Sequence, residues 1–210
     1  MKRKSGMFYV ISGPAGAGKN AIIAKLLKSH KNMLYSISAT TRPMRKGEIN
    51  GVHYFFLAKD EFEKNIAENC FLEWARVNNC YYGTPRQFIM EKTAMGMDVI
   101  TDMDVQGARR VKHILPETIL IFIIPPSYYL LEKRLKQRKT EDAATIEQRL
   151  QIAREEIKAA REYDYLVIND KLSLAVKQIK SIMFTERYKT ERYDMERLIK
   201  DFYSSGIDMD

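Results

Sequence analysis

Apolar positions along the chain follow two rhythms. Short, nearly unbroken runs, Phe8-Tyr9-Val10-Ile11, Val99-Ile100, Thr118 to Ile124 and Tyr165-Leu166-Val167-Ile168, read as strands. The run from Thr118 to Ile124 has the make-up of a strand buried on both faces, and Pro125-Pro126-Ser127 stops it. Between these runs lie segments with apolar residues every three or four places: Ala21 to Leu27, Pro85 to about Met95, the stretch after Val105-Gln106-Gly107, the stretch carrying Arg134 and Arg138, about Thr145 to Glu162, and Leu172 to Arg187. Their spacing predicts helices. Strand and helix in alternation predict a parallel α/β sheet, with ligands at the carboxyl ends of the strands.

The region between the first helix and Val99 breaks that alternation. Leu34 to Ser38 alternates like a short strand, Ala39 to Glu48 reads as a loop, and His53 to Leu57 as another strand. Lys59 opens a helix to about Asn69, Phe71 to Val77 is a strand, and Asn79 to Pro85 a polar, aromatic turn. Beyond Lys189 the tail is charged and helical in pattern, and the chain has neither an internal repeat nor a low-complexity tract.

The most specific local chemistry follows the first strand. In Gly13-Pro14-Ala15-Gly16-Ala17-Gly18-Lys19-Asn20 the glycines allow successive backbone N–H groups to turn inward around phosphate oxygens. Lys19 adds a positive charge, and the helix behind it points its N-terminus at the same anion. The usual pattern ends in Ser or Thr, whose hydroxyl touches Mg²⁺; here Asn20 stands there, a longer oxygen donor.

Composition narrows the partners. With 210 residues and 45% apolar content the chain suits one domain with a real core, and 35 Lys and Arg against 27 Asp and Glu, net +8, favour anionic partners. Nucleic acid and phosphorylated small molecules both satisfy that sign. Cys70 and Cys80 alone imply ordinary thiols in a reducing compartment, and the three histidines have no zinc-site spacing. The basic start, Met1 to Gly6, followed by so short an apolar run does not read as a signal peptide, and no stretch approaches a membrane span.

Other residues offer weaker, complementary signals. Arg42 and Arg45, flanking Pro43, could converge on one phosphate as guanidinium forks. Glu73, between Leu72 and Trp74, can accept two N–H donors in one plane, the geometry of a guanine N1 and 2-amino edge. Tyr82 and Thr84 are hydroxyl donors. Asp102 and Asp104 close a strand, where an acid helps hold Mg²⁺ beside a phosphate loop; alternation puts both on one face, while Asp104 could equally cap the next helix. Arg134 and Arg138 share a helix face, and with Arg149 and Arg154 they flank the charged stretch Lys139 to Thr145, which has the composition of a lid or of a solvated helical hairpin.

Taken together the chain resembles the guanylate kinases, which move a phosphoryl group from ATP to GMP. The resemblance rests on Ser12 to Lys19, Ser38 to Glu48, His53 to Phe56, Phe71 to Trp74, Tyr81 to Thr84, Asp102 to Gly107, Pro125 to Ser127 and Val167 to Asp170. It implies a P-loop NTPase-type three-layer parallel sheet, with core 1–34, 97–136 and 147–210, a GMP-binding insertion 35–96 and a small lid 137–146. It implies that Arg42, Arg45, Tyr54 and Tyr82 hold the GMP phosphate, and that Ser38, Glu73, Thr84 and Asp104 read the guanine. ATP falls to Gly13, Pro14, Ala15, Gly16, Ala17, Gly18, Lys19 and Asn20, with Arg134, Arg138 and Asn169, and Mg²⁺ to Asn20 and Asp102. The expected catalytic set is Lys19, Arg42, Arg134, Arg138 and Arg149. The expected partners are ATP and GMP, with dGMP as a further acceptor, and neither nucleic acid nor membrane; the compartment is the cytoplasm, and homo-oligomerisation stays open. The competing reading is a catalytically weak module of the same fold that binds phosphorylated peptides, toward which Asn20 leans.

Overall fold

The computed structural model describes residues 5–77, 79–137 and 142–204. Its centre is a five-stranded, all-parallel sheet built from β1 (Phe8–Ser12), β2 (Met33–Tyr35), β7 (Asp98–Asp102), β8 (Ile119–Ile124) and β9 (Tyr165–Ile168), in the order β2-β7-β1-β8-β9. Side chains alternate across β1 and so divide the core in two. Tyr9 and Ile11 pack under α1 (Lys19–Ser29) and α7 (Leu172–Glu186), against Ile22, Leu26, Ala175 and Ile179. Phe8 and Val10 face the other way, onto Ala108 and Val111 of α4 (Val105–Ile114) and Ile89 of α3 (Arg86–Ala94). The result is three layers, as the strand and helix alternation requires.

A second sheet of four strands stands beside the first. Its order is β4-β3-β6-β5, formed by β3 (Ala39–Thr40), β4 (Phe55–Phe56), β5 (Phe71–Val77) and β6 (Cys80–Pro85), with β3/β6 and β5/β6 antiparallel and β3/β4 parallel. Phe62 of α2 (Lys59–Ala67) stacks on Phe71 and Tyr81, at ring separations of 4.4 and 5.3 Å, and makes a small core of its own. Leu72 instead joins the cluster around Phe8 and Val10, so β5 contributes to both cores.

Several local expectations change here. Cys80 to Pro85 is a strand, not a turn, because β5 supplies antiparallel partners along it after Asn79 turns the chain at φ 64°. Ala39 and Thr40, expected in a loop, pair with β4 and β6. The strands expected over Leu34 to Ser38 and His53 to Leu57 shrink to Met33–Tyr35 and Phe55–Phe56. The strand after Val99 ends at Asp102, and Asp104 is the N-cap of α4, its Oδ1 accepting from the Gly107 N–H at 2.7 Å, so alternation does not relate the two acids.

Two further helices, α5 (Tyr128–Gln137) and α6 (Ala143–Lys158), pack through Leu131, Leu135, Leu150 and Ala153 onto Ala15. A last helix, α8 (Met195–Ser204), completes the described chain. Arg138 and residues 139–141 of the expected lid lie outside the described residues.

Candidate functional site

The loop after β1 is held by its own backbone and by one side chain from β9's end. Gly13, at φ 140°, lies so close to the neighbouring strand that a Cβ would come within 2.1 Å of the Ile123 carbonyl oxygen. Gly18 adopts the left-handed conformation, φ 95°, as the N-cap of α1 and makes no side-chain cap hydrogen bond. Asn169, buried beneath the loop, donates from Nδ2 to the Ala17 carbonyl at 2.7 Å. Its own carbonyl accepts from Arg134 at 2.9 Å, which ties α5 to the loop through β9. Asn169 Oδ1 is buried without a protein partner, so this residue addresses the loop backbone rather than an open surface. Lys19 Nζ donates to the Gly13 carbonyl at 2.5 Å and, more weakly, to Pro14 at 3.4 Å.

From this loop a cleft of 380 Å³ runs to the second sheet. Gly13, Ala15 and Lys19 line one end, and Ser38, Tyr54, Glu73, Tyr82, Thr84, Asp104 and Arg110 line the rest, with Glu156 entering from α6. Six of the eight expected acceptor-site residues therefore share one cavity wall. Glu73 and Thr84 are directly opposite in the β5/β6 register, and a shift in pairing between Phe71 and Glu73 lets Leu72 enter the main core beside them. The Thr84 hydroxyl donates to Glu73 Oε1 at 2.9 Å, and Arg110 donates to Oε2 at 3.0 Å. The Glu73 side chain is only 8% exposed, so it is not a solvent-facing strand residue.

Arg42 and Arg45 do not line this cavity. Arg42 makes a bidentate pair with Glu48, at 2.9 and 2.8 Å, and lies 5.4 Å from the Tyr54 ring centroid and 5.6 Å from that of Phe56. The Arg45 backbone N–H donates to the same Glu48 carboxylate at 2.7 Å, while its side chain is exposed. Glu48 thus organises the loop that presents both arginines. The hydrogen bonds from Arg42 and from the Arg45 backbone hold its pKa down to about 2. Tyr54 and Tyr82 meet edge to face, centroids 6.1 Å apart, beside Arg42.

Around the loop's outer side Asn20 and Asp102 line a common hollow of 400 Å³ with Gly16, Gly18 and Lys19. Asp102 Oδ1 accepts from the Tyr35 hydroxyl at 2.6 Å, and burial, then the Asp102 charge, push the Tyr35 phenol well up, so it stays a donor. Burial likewise raises the Glu156 pKa, opposed by Lys19. Among the described residues no group of three or more His, Cys, Asp or Glu side chains could hold a metal. Arg149 is half-buried on α6.

Four residues that contact or line the site escaped the sequence reading: Glu48, Arg110, Tyr35 and Glu156. Glu48 carried a faint signal, being an acid in an otherwise basic loop. Arg110 carried none, since Arg109 beside it is chemically identical yet pairs elsewhere, with Glu162.

The comparisons with known proteins converge on one family. The family model described as guanylate kinase matches residues 5–186. The chain is similar to the guanylate kinase of Carboxydothermus hydrogenoformans, 47% identical over 195 residues that cover 93% of this chain and 96% of the relative. It is also similar to that of Clostridioides difficile, 43% identical over 190 residues, 90% of this chain and 93% of the relative. Its fold is similar to the crystal structure of guanylate kinase from Anaplasma phagocytophilum, with a TM-score of 0.76 and 30% identity over 94% of this chain and 95% of that one.

Proposed function

The chain belongs to the guanylate kinase family and is an ATP:GMP phosphotransferase, and from that premise we propose how its residues divide the work. ATP phosphates occupy the loop from Gly13 to Asn20, cradled by its N–H groups and Lys19. GMP occupies the 380 Å³ cleft, its guanine toward Glu73, Thr84, Ser38 and Asp104 and its phosphate toward Tyr54 and Tyr82, with Arg42 beside those rings and Arg45 on the same loop reaching it from outside the cleft wall. dGMP fits the same contacts, none of which needs the ribose 2′-hydroxyl. The observation that carries this reading is that a single cleft has Gly13 and Lys19 at one end and Glu73 and Thr84 at the other. Donor and acceptor bound so would meet phosphate to phosphate.

No general base is needed. A phosphate monoester with a second pKa of about 6 is largely a dianion at neutral pH and attacks as it stands. The protein's contribution is positioning plus neutralisation of charge by Lys19, Arg42, Arg134, Arg138 and Arg149. Because α5 and α6 pack on Ala15, closure over the loop would bring Arg134 and Arg149 toward it and exclude water, which would otherwise compete as acceptor. The insertion 35–96 and the lid 137–146 are the parts we assign to that closure.

Mg²⁺ suits the hollow beside the loop. Asn20 and Asp102 offer two oxygen donors there, and this ion keeps several waters while binding through one or two carboxylates and substrate phosphates. When bound it would supply positive charge beside the substrate phosphates. Cys70 and Cys80 are both free, which supports the cytoplasm as compartment. The phosphopeptide-binding alternative has only Asn20 in its favour.

A coupled assay of ADP formation tests the division of labour. Glu73→Ala should cut kcat/KM for GMP by about 100-fold or more, because an unmatched donor pair in a closed site is costly. The KM for ATP should stay within about twofold, since ATP contacts lie at the other end of the cleft. Equal loss on both substrates would overturn the assignment of two separate sites.

A further inference from the structure

We infer that Arg110 is a positioning residue for guanine recognition, fixing the Glu73 carboxylate so that it discriminates among purine nucleotides. The inference rests on the reading that Glu73 receives the guanine edge. A carboxylate has about four lone-pair sites. Thr84 takes one on Oε1 and Arg110 one on Oε2, so each oxygen keeps one free for the base. Two free acceptors, side by side and unable to rotate, match a donor pair such as guanine N1–H and its 2-amino group.

The helix is built to bring Arg110 to this place. Asp104 caps α4 by accepting from the Gly107 N–H. Gly107 then lets the helix approach Glu73 so closely that a Cβ there would lie 3.3 Å from Oε2. Arg110 follows one turn later and lines the same cleft. Arg109 shows what an arginine on this helix does otherwise, forming an exposed pair with Glu162, side chains 45% and 41% exposed. The Arg110 side chain is 40% exposed but its partner only 8%, and its Nε is buried without a protein partner. Such a pair is a poor source of stability, since apolar residues of similar volume would serve as well. What it provides is a fixed orientation.

That fixity has a price-free consequence for selectivity. IMP keeps N1–H but lacks the 2-amino group, and so leaves one pinned oxygen unmatched. AMP presents an unprotonated N1, an acceptor against an acceptor. A carboxylate free to turn about its Thr84 contact would relieve part of either mismatch, so losing Arg110 should narrow the preference for GMP.

The test measures kcat and KM for GMP and IMP, with the KM for ATP, in the wild type, Arg110→Met, Arg110→Lys and Glu73→Gln. We expect Arg110→Met to raise the KM for GMP about tenfold, with kcat and the ATP KM within about twofold, and to lower the GMP:IMP ratio of kcat/KM about fivefold. Lysine, a point charge without the planar fork, should recover part of both. An Arg110→Met enzyme with the wild-type KM and ratio would overturn the inference, and so would a parallel loss of kcat on both nucleotides with a lowered Tm, the mark of a merely structural role. Should the methionine variant fail to fold, the same ratio in Arg110→Lys decides: a wild-type value there overturns the orienting role of the fork. A silent Glu73→Gln would instead sink the reading of Glu73 on which the inference stands, whereas a strong effect there with a silent Arg110→Met sinks the inference alone.

Discussion

The phosphate loop and the base cleft adjoin each other yet are held by different means. The loop is shaped almost entirely by backbone: glycines at the strained positions, N–H groups at the start of α1, and one buried amide, Asn169, beneath Ala17. The cleft is shaped by charged and hydroxylic side chains: Arg110 and Thr84 on Glu73, and Glu48 on Arg42, the latter at the cleft's edge. In the proposed division of labour the difference follows from what each binds. A phosphate is a symmetric anion that any converging set of N–H groups satisfies, whereas a purine edge carries an ordered pattern of donors that only oriented side chains can match. One region is therefore generic and locally encoded, the other specific and assembled from distant parts of the chain.

Substitutions can sharpen that contrast. The largest effect belongs to the loop's single charge: Lys19→Met should reduce kcat by about 10³-fold. Its Tm should change less than its activity, because the lysine adds no side chain to the apolar clusters of the core. A fall in Tm matching the loss of activity would mean that Lys19 shapes the loop rather than acting on the nucleotide.

Next in size is the acceptor side's anchor. Glu48→Gln removes the bidentate partner of Arg42 and should lower kcat/KM for GMP about tenfold, leaving the ATP KM unchanged. The pH profile separates this from catalysis. A carboxylate whose folded pKa lies near 2, below its unfolded value, contributes stability above that unfolded value and loses it only as pH falls through about 2. The Arg42 pair thus persists across any practical assay range. The acid limb of kcat/KM should follow the GMP phosphate, at about pH 6, in both the wild type and Glu48→Gln. A limb that disappears in the variant would assign it to Glu48 after all.

The smallest effect concerns the loop's irregular residue. Asn20→Ser should lower the Mg²⁺ concentration for half-maximal rate about two- to threefold, because a hydroxyl is a more compact ligand. An unchanged Mg²⁺ titration would put residue 20 outside the metal's reach.

How much of this was legible beforehand divides along the same line. Strands β1, β7 and β8 were readable because parallel strands buried on both faces are written as apolar runs, and β9, an edge strand with Leu166 and Ile168 exposed, because its short run is apolar and partly β-branched. The loop was readable because its glycines and Lys19 act within eight residues. Strand β6 was not, since Tyr81, Tyr82 and Gly83 look like a turn until β5 pairs with them. Asp104 could be read as a strand residue or a cap, and only the end of β7 at Asp102 decided between them.

The sequence by itself determined the layered parallel sheet, the phosphate loop and the family, because apolar period, glycine spacing and motif order are properties of neighbouring residues. Only the tertiary structure decided that Arg110 rather than Arg109 meets Glu73, that Glu48 holds Arg42, and that Asn169 braces the loop from below. Across separations of 37 residues for Arg110 and Glu73, and 152 for Asn169 and Ala17, no local pattern ranks one partner above another. Which pairs form is settled when helix and sheet pack, since packing fixes which side chains can reach each other and which charges lose their water.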